Sequence, residues 1–69
     1  MTLNEIFAGG VRKARNKQGW TQDELGERSG LTRHYIGIIE RAGKSPTLES
    51  VEAIALALDV DPQSLIPPT

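Results

Sequence analysis

Apolar residues recur every three or four positions through the first part of the chain, with polar residues between them. The first such series consists of Leu3, Ile6, Phe7, Val11 and Ala14. This spacing matches the 3.6-residue turn of an α-helix with one apolar face. Thr2 and Glu5 have the spacing of a capping box at its start, and Gly19 is placed to end it.

Two shorter helices are predicted next, joined by a tight turn. Thr21 and Glu24 repeat the capping-box spacing, so the second helix should run from about Gln22 to Ser29. Gly30 suits the positive φ of a turn because it has no side chain. Thr32 is the expected cap of a third helix that ends near residue 42. The inward-facing residues of this third helix are Ile36 and Ile39.

The remaining apolar positions predict a fourth and a fifth helix. The fourth follows Thr47, its expected cap, and its apolar face consists of Leu48, Val51, Ile54, Ala55 and Leu58. Asp61 before Pro62 indicates the start of a short fifth helix that contains Leu65. The pattern therefore predicts an all-α fold of five short helices around one core. We expect a single domain over residues 1–69, with its core over about residues 3–66.

Composition narrows the chemistry that such a domain can perform. The 69 residues include no cysteine and one histidine, His34, so we expect no disulfide, no metal site and no cofactor. The apolar runs are too short to span a membrane, and a cytoplasmic setting is expected. No nucleophile–base pair or paired carboxylates are apparent, which disfavours an enzyme.

The net charge of -1 conceals an uneven distribution along the chain. Residues 1–18 carry four basic residues and one acidic residue, a net +3. Residues 19–46 are balanced, and residues 47–69 carry four acidic residues and no base. This asymmetry is compatible with one face meeting an anionic partner, although a run of charge is often only a solvated surface.

The second and third helices together have the most specific pattern. A small residue, Gly26, stands where two helices would cross closely, and Gly30 follows at the turn. The segment "TQDELGERSGLTRHYIGIIER" resembles the helix-turn-helix of the phage-repressor family (Cro/CI, XRE-type). The likeness covers roughly residues 6–66 and implies a lambda-repressor-like DNA-binding domain. It also extends to restriction–modification controller proteins, and the N-terminal domain of a longer repressor is an equally open interpretation.

On a helical wheel, one side of the third helix points away from the core. This side combines an arginine guanidinium, an imidazole, a glycine without a side chain and one isoleucine. Such a combination suits a DNA major groove. The resemblance implies base-reading roles on this side for Arg33, His34, Gly37 and Ile38. It implies phosphate contacts for Thr21, Gln22, Thr32, Arg41 and Lys44. We expect Tyr35 to be half-buried, with its hydroxyl reaching the backbone, and Trp20 to cover the core.

Glu40 has a different implied role. In the family that this chain resembles, an acidic residue at this position pairs with an arginine of the first helix. The matching residue is Arg15, so a structural ion pair is expected.

Two positions depart from the family pattern. The glycine after the third helix, Gly43, comes one place late, so this helix is expected to extend one residue further and end there in a left-handed cap. Asp59 replaces the usual glycine after the fourth helix, and aspartate tolerates that conformation.

These features together predict a sequence-specific, double-stranded DNA-binding transcriptional regulator. The alternative is a protein-interaction or antitoxin-type module that uses the same fold. A single module of this size buries only about 600–1,000 Å² against DNA. We therefore expect a homodimer on an inverted-repeat operator, with the fifth helix (Leu65 and Ile66) as the interface and no contact with membranes.

Overall fold

A computed structural model describes residues 1–66 of the chain. The α-helices are α1 (Leu3–Gln18), α2 (Gln22–Ser29), α3 (Arg33–Glu40) and α4 (Leu48–Leu58). A single 3-10 turn, Pro62–Leu65, follows them. Over residues 1–66 there is no strand, so the all-α prediction is confirmed. The predicted fifth α-helix is instead this 3-10 turn, because only four residues separate Asp61 from Ile66 and so few cannot complete an α-helix.

A threonine caps the N-terminus of every α-helix in this part of the chain. In each case the hydroxyl accepts a hydrogen bond from a backbone N–H of the first turn. Glu5 and Glu24 complete capping boxes with Thr2 and Thr21, at 2.8 and 3.0 Å from the threonine N–H groups. These local predictions are confirmed. Asp61 and Pro62 take the predicted cap and first positions of the 3-10 turn, but the Asp61 side chain makes no capping hydrogen bond.

The four α-helices also share one kind of C-terminus. Just after each helix, one residue adopts the left-handed conformation and donates its N–H to the carbonyl oxygen of the residue three positions earlier. The residue that follows it donates its N–H to the carbonyl oxygen of the residue five positions earlier. The left-handed residues are Gly19, Gly30, Ala42 and Asp59. At α3, Ala42 has φ 55° and Gly43 donates to Ile38 O at 2.9 Å. The expectation that α3 continues to a left-handed Gly43 is therefore wrong, because this pair of bonds requires the left-handed residue at position 42.

All four helices and the 3-10 turn contribute to one hydrophobic core. Its buried members are Phe7, Val11, Leu25, Ile36, Ile39, Ile54, Ala55, Leu58 and Leu65. α2 and α3 meet where Gly26 lies against the backbone of the next helix. A Cβ at Gly26 would stand 2.8 Å from both Arg33 N and Thr32 C, so only glycine fits this crossing. The small residue expected from the sequence is thus required by backbone contact.

Three leucines are not where the apolar pattern suggests. Leu3 and Leu48 belong to predicted apolar faces but are 61% and 88% exposed, because each is the first residue of its helix and lies beyond the core. Leu65, predicted to form a dimer interface, is only 1% exposed. The 3-10 turn packs on α1 at Gly10, where a side chain would collide with the Leu65 carbonyl. Leu65 therefore stabilises its own chain and is unavailable to a partner.

The two large aromatic side chains outside the central core have specific partners. Trp20 is half-buried against the core, as expected, and the Arg28 guanidinium carbon lies 4.3 Å from its ring centroid. The half-buried Tyr35 donates its hydroxyl hydrogen to Ser50 Oγ at 3.1 Å. The expected bond to the backbone is therefore wrong, because α4 presents a buried serine at that point. No helix within residues 1–66 is long and apolar enough to cross a membrane.

Candidate nucleic-acid interface

The solvent-facing side of α3 forms one wall of a shallow basic depression. Its volume is about 320 Å³. The lining residues are Gln22, Arg33, His34, Gly37 and Arg41. Arg33 and His34 are both exposed in the first turn of α3, and Arg41 is exposed directly after its last residue. The structure thus brings together three of the four candidate base-reading residues and two of the candidate phosphate ligands.

Gly37 lies at the base of this depression, and its backbone is buried by its neighbours. A Cβ at this position would stand 3.3 Å from Arg41 Nη1 and 3.6 Å from Gln22 Oε1. The absence of a side chain therefore leaves room beside the Arg41 and Gln22 polar atoms. The helix accepts a glycine here, at a cost of about 1 kcal/mol relative to alanine.

Ile38, the fourth candidate base-reading residue, is placed differently. It is half-buried and does not line the depression. Its Cγ2 atom lies 3.3 Å from the position that a Cβ on Gly43 would occupy, so the loop after α3 covers part of it. The helical wheel alone does not indicate this, because Ile38 lies at the edge between the two faces of α3.

The remaining candidate phosphate ligands lie at helix ends or in a loop. Thr21 and Thr32 cap α2 and α3, where their hydroxyl oxygens accept hydrogen bonds from Glu24 N and Tyr35 N. Each hydroxyl still has its own hydrogen to donate to a phosphate oxygen. Lys44 is exposed in the loop between α3 and α4. These groups are compatible with an anionic backbone lying across both helix N-termini.

Arg15 and Glu40 form a buried ion pair beneath this surface. Arg15 Nε lies 2.6 Å from Glu40 Oε2, and Arg15 Nη2 donates to Oε1 at 2.9 Å. The side chains are 13% and 3% exposed. Hydrogen bonding to the Glu40 carboxylate raises the pKa of Arg15 above its ordinary value. Arg15 also donates from Nη1 to the Trp20 carbonyl oxygen at 2.7 Å. Because Trp20 lies in the segment between α1 and α2, Arg15 connects α1 both to this segment and to α3.

Two further contacts to the end of α3 are not apparent from the sequence. Arg12, an exposed residue of α1, donates from Nη1 to the Glu40 carbonyl oxygen at 2.9 Å. Asn4 Nδ2 donates to the Ala42 carbonyl oxygen at 3.3 Å. A cationic donor at a helix C-terminus compensates the free carbonyl groups there. The only sequence signal for Arg12 is its spacing of three residues from Arg15, which puts both on one side of α1.

Gln22 also takes part in the ion-pair network. Its Nε2 atom donates to Glu40 Oε1 at 3.2 Å, and the residue is half-buried. Gln22 belongs at once to the wall of the depression and to the buried cluster beneath it. The ion pair and the candidate DNA-facing surface are therefore linked by a single side chain.

A family model described as helix-turn-helix (HTH_3) matches residues 11–65. The control protein C.SmaI of Serratia marcescens is 39% identical over 66 residues, which are 96% of this chain and 79% of that protein. The crystal structure of the hypothetical transcription factor NHTF from Neisseria superposes with a TM-score of 0.92 at 34% identity, covering 97% of this chain and 77% of that one. The restriction-modification controller protein C.AhdI from Aeromonas hydrophila gives a TM-score of 0.87 at 34% identity, with 90% of each chain covered.

Proposed function

The chain belongs to this helix-turn-helix family, and on that premise we propose that it is a sequence-specific transcriptional regulator that places α3 in the major groove of double-stranded DNA. The observation that carries the proposal is the basic depression on α3, where Arg33, His34 and Arg41 surround the bare backbone of Gly37. A helix of this width fits the major groove, whose base edges offer acceptors to such donors. The regulatory names of the similar proteins support the same function.

The proposed contacts divide into base reading and backbone positioning. Arg33 in the first turn of α3 can direct two parallel N–H donors at guanine O6 and N7. His34 and the edge of Ile38 are the other proposed base contacts. The hydroxyl groups at the N-termini of α2 and α3 and the cations that follow α3 are proposed to hold phosphates, which positions the protein without identifying bases. These phosphate ligands are Thr21, Thr32, Arg41 and Lys44.

We propose that residues 1–69 act as one DNA-binding domain without catalytic activity or cofactor. Because the ligand is a regulatory DNA site, this domain acts in the cytoplasm. A single copy contacts about 600–1,000 Å² of DNA surface, so two copies are proposed to bind an inverted repeat with half-sites about one helical turn apart.

The proposed contact between the two copies is an apolar groove, since Leu65 is buried in its own chain. The groove has a volume of about 240 Å³. Its apolar lining consists of Leu3, Phe7, Pro46, Leu48, Val51 and Ile66. Leu3 and Leu48 both line this groove and expose more than half of their surface. Together they form a contiguous apolar patch of the kind that marks interfaces. A second copy is the proposed occupant because an inverted repeat brings two identical surfaces together around a two-fold axis.

The dimer proposal is tested with Leu48→Lys. We expect this variant to bind a single half-site as the parent does and to lose the added affinity for the palindrome, as measured by gel shift on both duplexes. Leu56→Lys is the matched control, because Leu56 is 74% exposed on α4 but does not line the groove. Equal affinity of the parent for one half-site and for the palindrome would contradict the proposal.

DNA recognition itself is tested by selecting bound duplexes from a random pool at fixed salt. We expect the parent protein to enrich one inverted-repeat sequence. Arg33→Ala should relax the preference at one base pair per half-site, a loss of about 1–3 kcal/mol of discrimination. Lys44→Ala should weaken binding to all sequences similarly and lower the salt dependence by about one charge. No enrichment by the parent protein would favour the protein-interaction alternative.

A further inference from the structure

The amide of Gln22 has a defined orientation because its partner is a carboxylate. An ionised carboxylate can only accept hydrogen bonds. Glu40 is 4% exposed, and its two oxygens already accept hydrogen bonds from the Arg15 guanidinium in an ion pair. Gln22 must therefore turn its NH2 group toward Glu40, as the 3.2 Å contact from Nε2 to Oε1 shows. Its carbonyl oxygen consequently faces away from the ion pair.

The carbonyl oxygen of Gln22 lies beside Gly37, and both residues line the depression. Gln22 Oε1 lies 3.6 Å from the point where a Cβ of Gly37 would stand, and Arg41 Nη1 lies 3.3 Å from the same point. A Cβ at Gly37 would be in van der Waals contact with the Gln22 oxygen and would crowd the Arg41 nitrogen. With glycine, an acceptor and a cationic donor face the same depression, in which Arg33 and His34 are the other polar neighbours.

We propose that Glu40 is a positioning residue that sets the polarity of Gln22, so that Gln22 Oε1 accepts a hydrogen bond from a base amino group in the major groove. The candidate groups are adenine N6 and cytosine N4, the two major-groove donors. A phosphate cannot be the partner of this oxygen, because phosphate oxygens are acceptors too. The second hydrogen of Nε2 remains available for a phosphate. The inference rests on the proposed DNA-binding function and adds base reading to a residue that sequence reasoning assigns to the backbone alone.

Arg15→Met/Glu40→Leu tests the polarity directly, because it removes the carboxylate that orients Gln22 and leaves no charge buried. Without that carboxylate, either end of the Gln22 amide can face the depression. In the parent protein we expect a preference for adenine or cytosine at one base pair per half-site, roughly three- to tenfold, the strength of one hydrogen bond. We expect this preference to be lost in the double variant, while the preference due to Arg33 is retained.

The base that the parent protein selects distinguishes adenine from cytosine. A purely structural role of Glu40 would change the melting temperature of the double variant but not its preference at this base pair.

Gln22→Met keeps the test decisive if Arg15→Met/Glu40→Leu does not fold, because this change leaves the ion pair intact. We expect it to abolish the preference at the same base pair while the preference due to Arg33 is retained. Glu52→Gln, which changes an exposed residue of α4, is the control and should leave every preference unchanged. A parent protein that selects no sequence would overturn the proposed function. A parent that selects a sequence, with Gln22→Met showing identical preferences, would overturn this inference alone.

Discussion

Arg15 and Glu40 join the interior of α1 to the last residue of α3 through two hydrogen bonds of 2.6 and 2.9 Å. Both groups are largely removed from water, and Gln22 and the Trp20 carbonyl complete their hydrogen bonding. Burial of two charges is costly unless each has partners, and this pair is well satisfied. The pair thus determines where α3 ends relative to α1.

Glu40→Ala should strongly destabilise the domain, because it leaves the Arg15 guanidinium buried without compensation. We expect the free energy of unfolding to fall by about 3–5 kcal/mol, measured by urea denaturation. The variant Arg15→Met/Glu40→Leu should recover much of this loss, since no charge then remains buried. Equal unfolding midpoints for Glu40→Ala and the parent protein would show that the ion pair contributes nothing to stability.

Ala42→Gly should stabilise the domain. Ala42 has φ 55°, a conformation in which a Cβ meets the backbone and which glycine adopts without that cost. We expect a gain of about 0.5–1 kcal/mol, read from the midpoint of thermal or urea unfolding. Ala53→Gly, the same substitution inside α4, should instead cost about 1 kcal/mol. A loss of stability in both variants would be inconsistent with strain at Ala42.

The neighbouring glycines of α1 should respond to alanine in opposite directions. A Cβ at Gly9 meets nothing within 4 Å, so Gly9→Ala should stabilise the helix by up to about 1 kcal/mol. A Cβ at Gly10 would collide with the Leu65 carbonyl, so Gly10→Ala should displace the 3-10 turn and lower the melting temperature. Thermal unfolding of both variants measures the contrast. If the two shifts have the same sign, the 3-10 turn does not pack on α1 in this way.

The two capping boxes should make stability depend on acid pH. Hydrogen bonds from Thr2 and Thr21 lower the pKa of Glu5 and Glu24 below the ordinary value of about 4.3. A lowered pKa in the folded state contributes stability that is complete above the unfolded pKa and is lost as pH falls through the folded pKa. We expect the urea midpoint to fall from pH 6 to pH 3, and to fall less in Glu5→Gln/Glu24→Gln. An equal fall in the parent protein and in the double variant would contradict this contribution of the capping boxes.

The sequence alone determined the features that depend on neighbouring residues. The threonine caps at Thr2, Thr21, Thr32 and Thr47 involve hydrogen bonds across three residues, so their spacing is visible in the chain. The apolar period identified the four α-helices, and Gly26 and Gly30 indicated a close helix pair joined by a turn. For the same reason, Arg33 and His34 could be assigned to the exposed side of α3 before any contact was known, whereas the half-burial of Ile38 could not be predicted.

Only the tertiary structure decided which groups from distant parts of the chain meet. Arg12 reaches the carbonyl of Glu40 across 28 residues, and Gln22 reaches the carboxylate of Glu40 across 18. Leu65 is buried because α1 has a glycine where the 3-10 turn packs, and the periodic pattern cannot distinguish this from an exposed apolar end. The polarity of Gln22 is likewise set by the carboxylate beneath it. Such contacts depend on how helices pack, and residue spacing within one helix contains no information about the orientation of another.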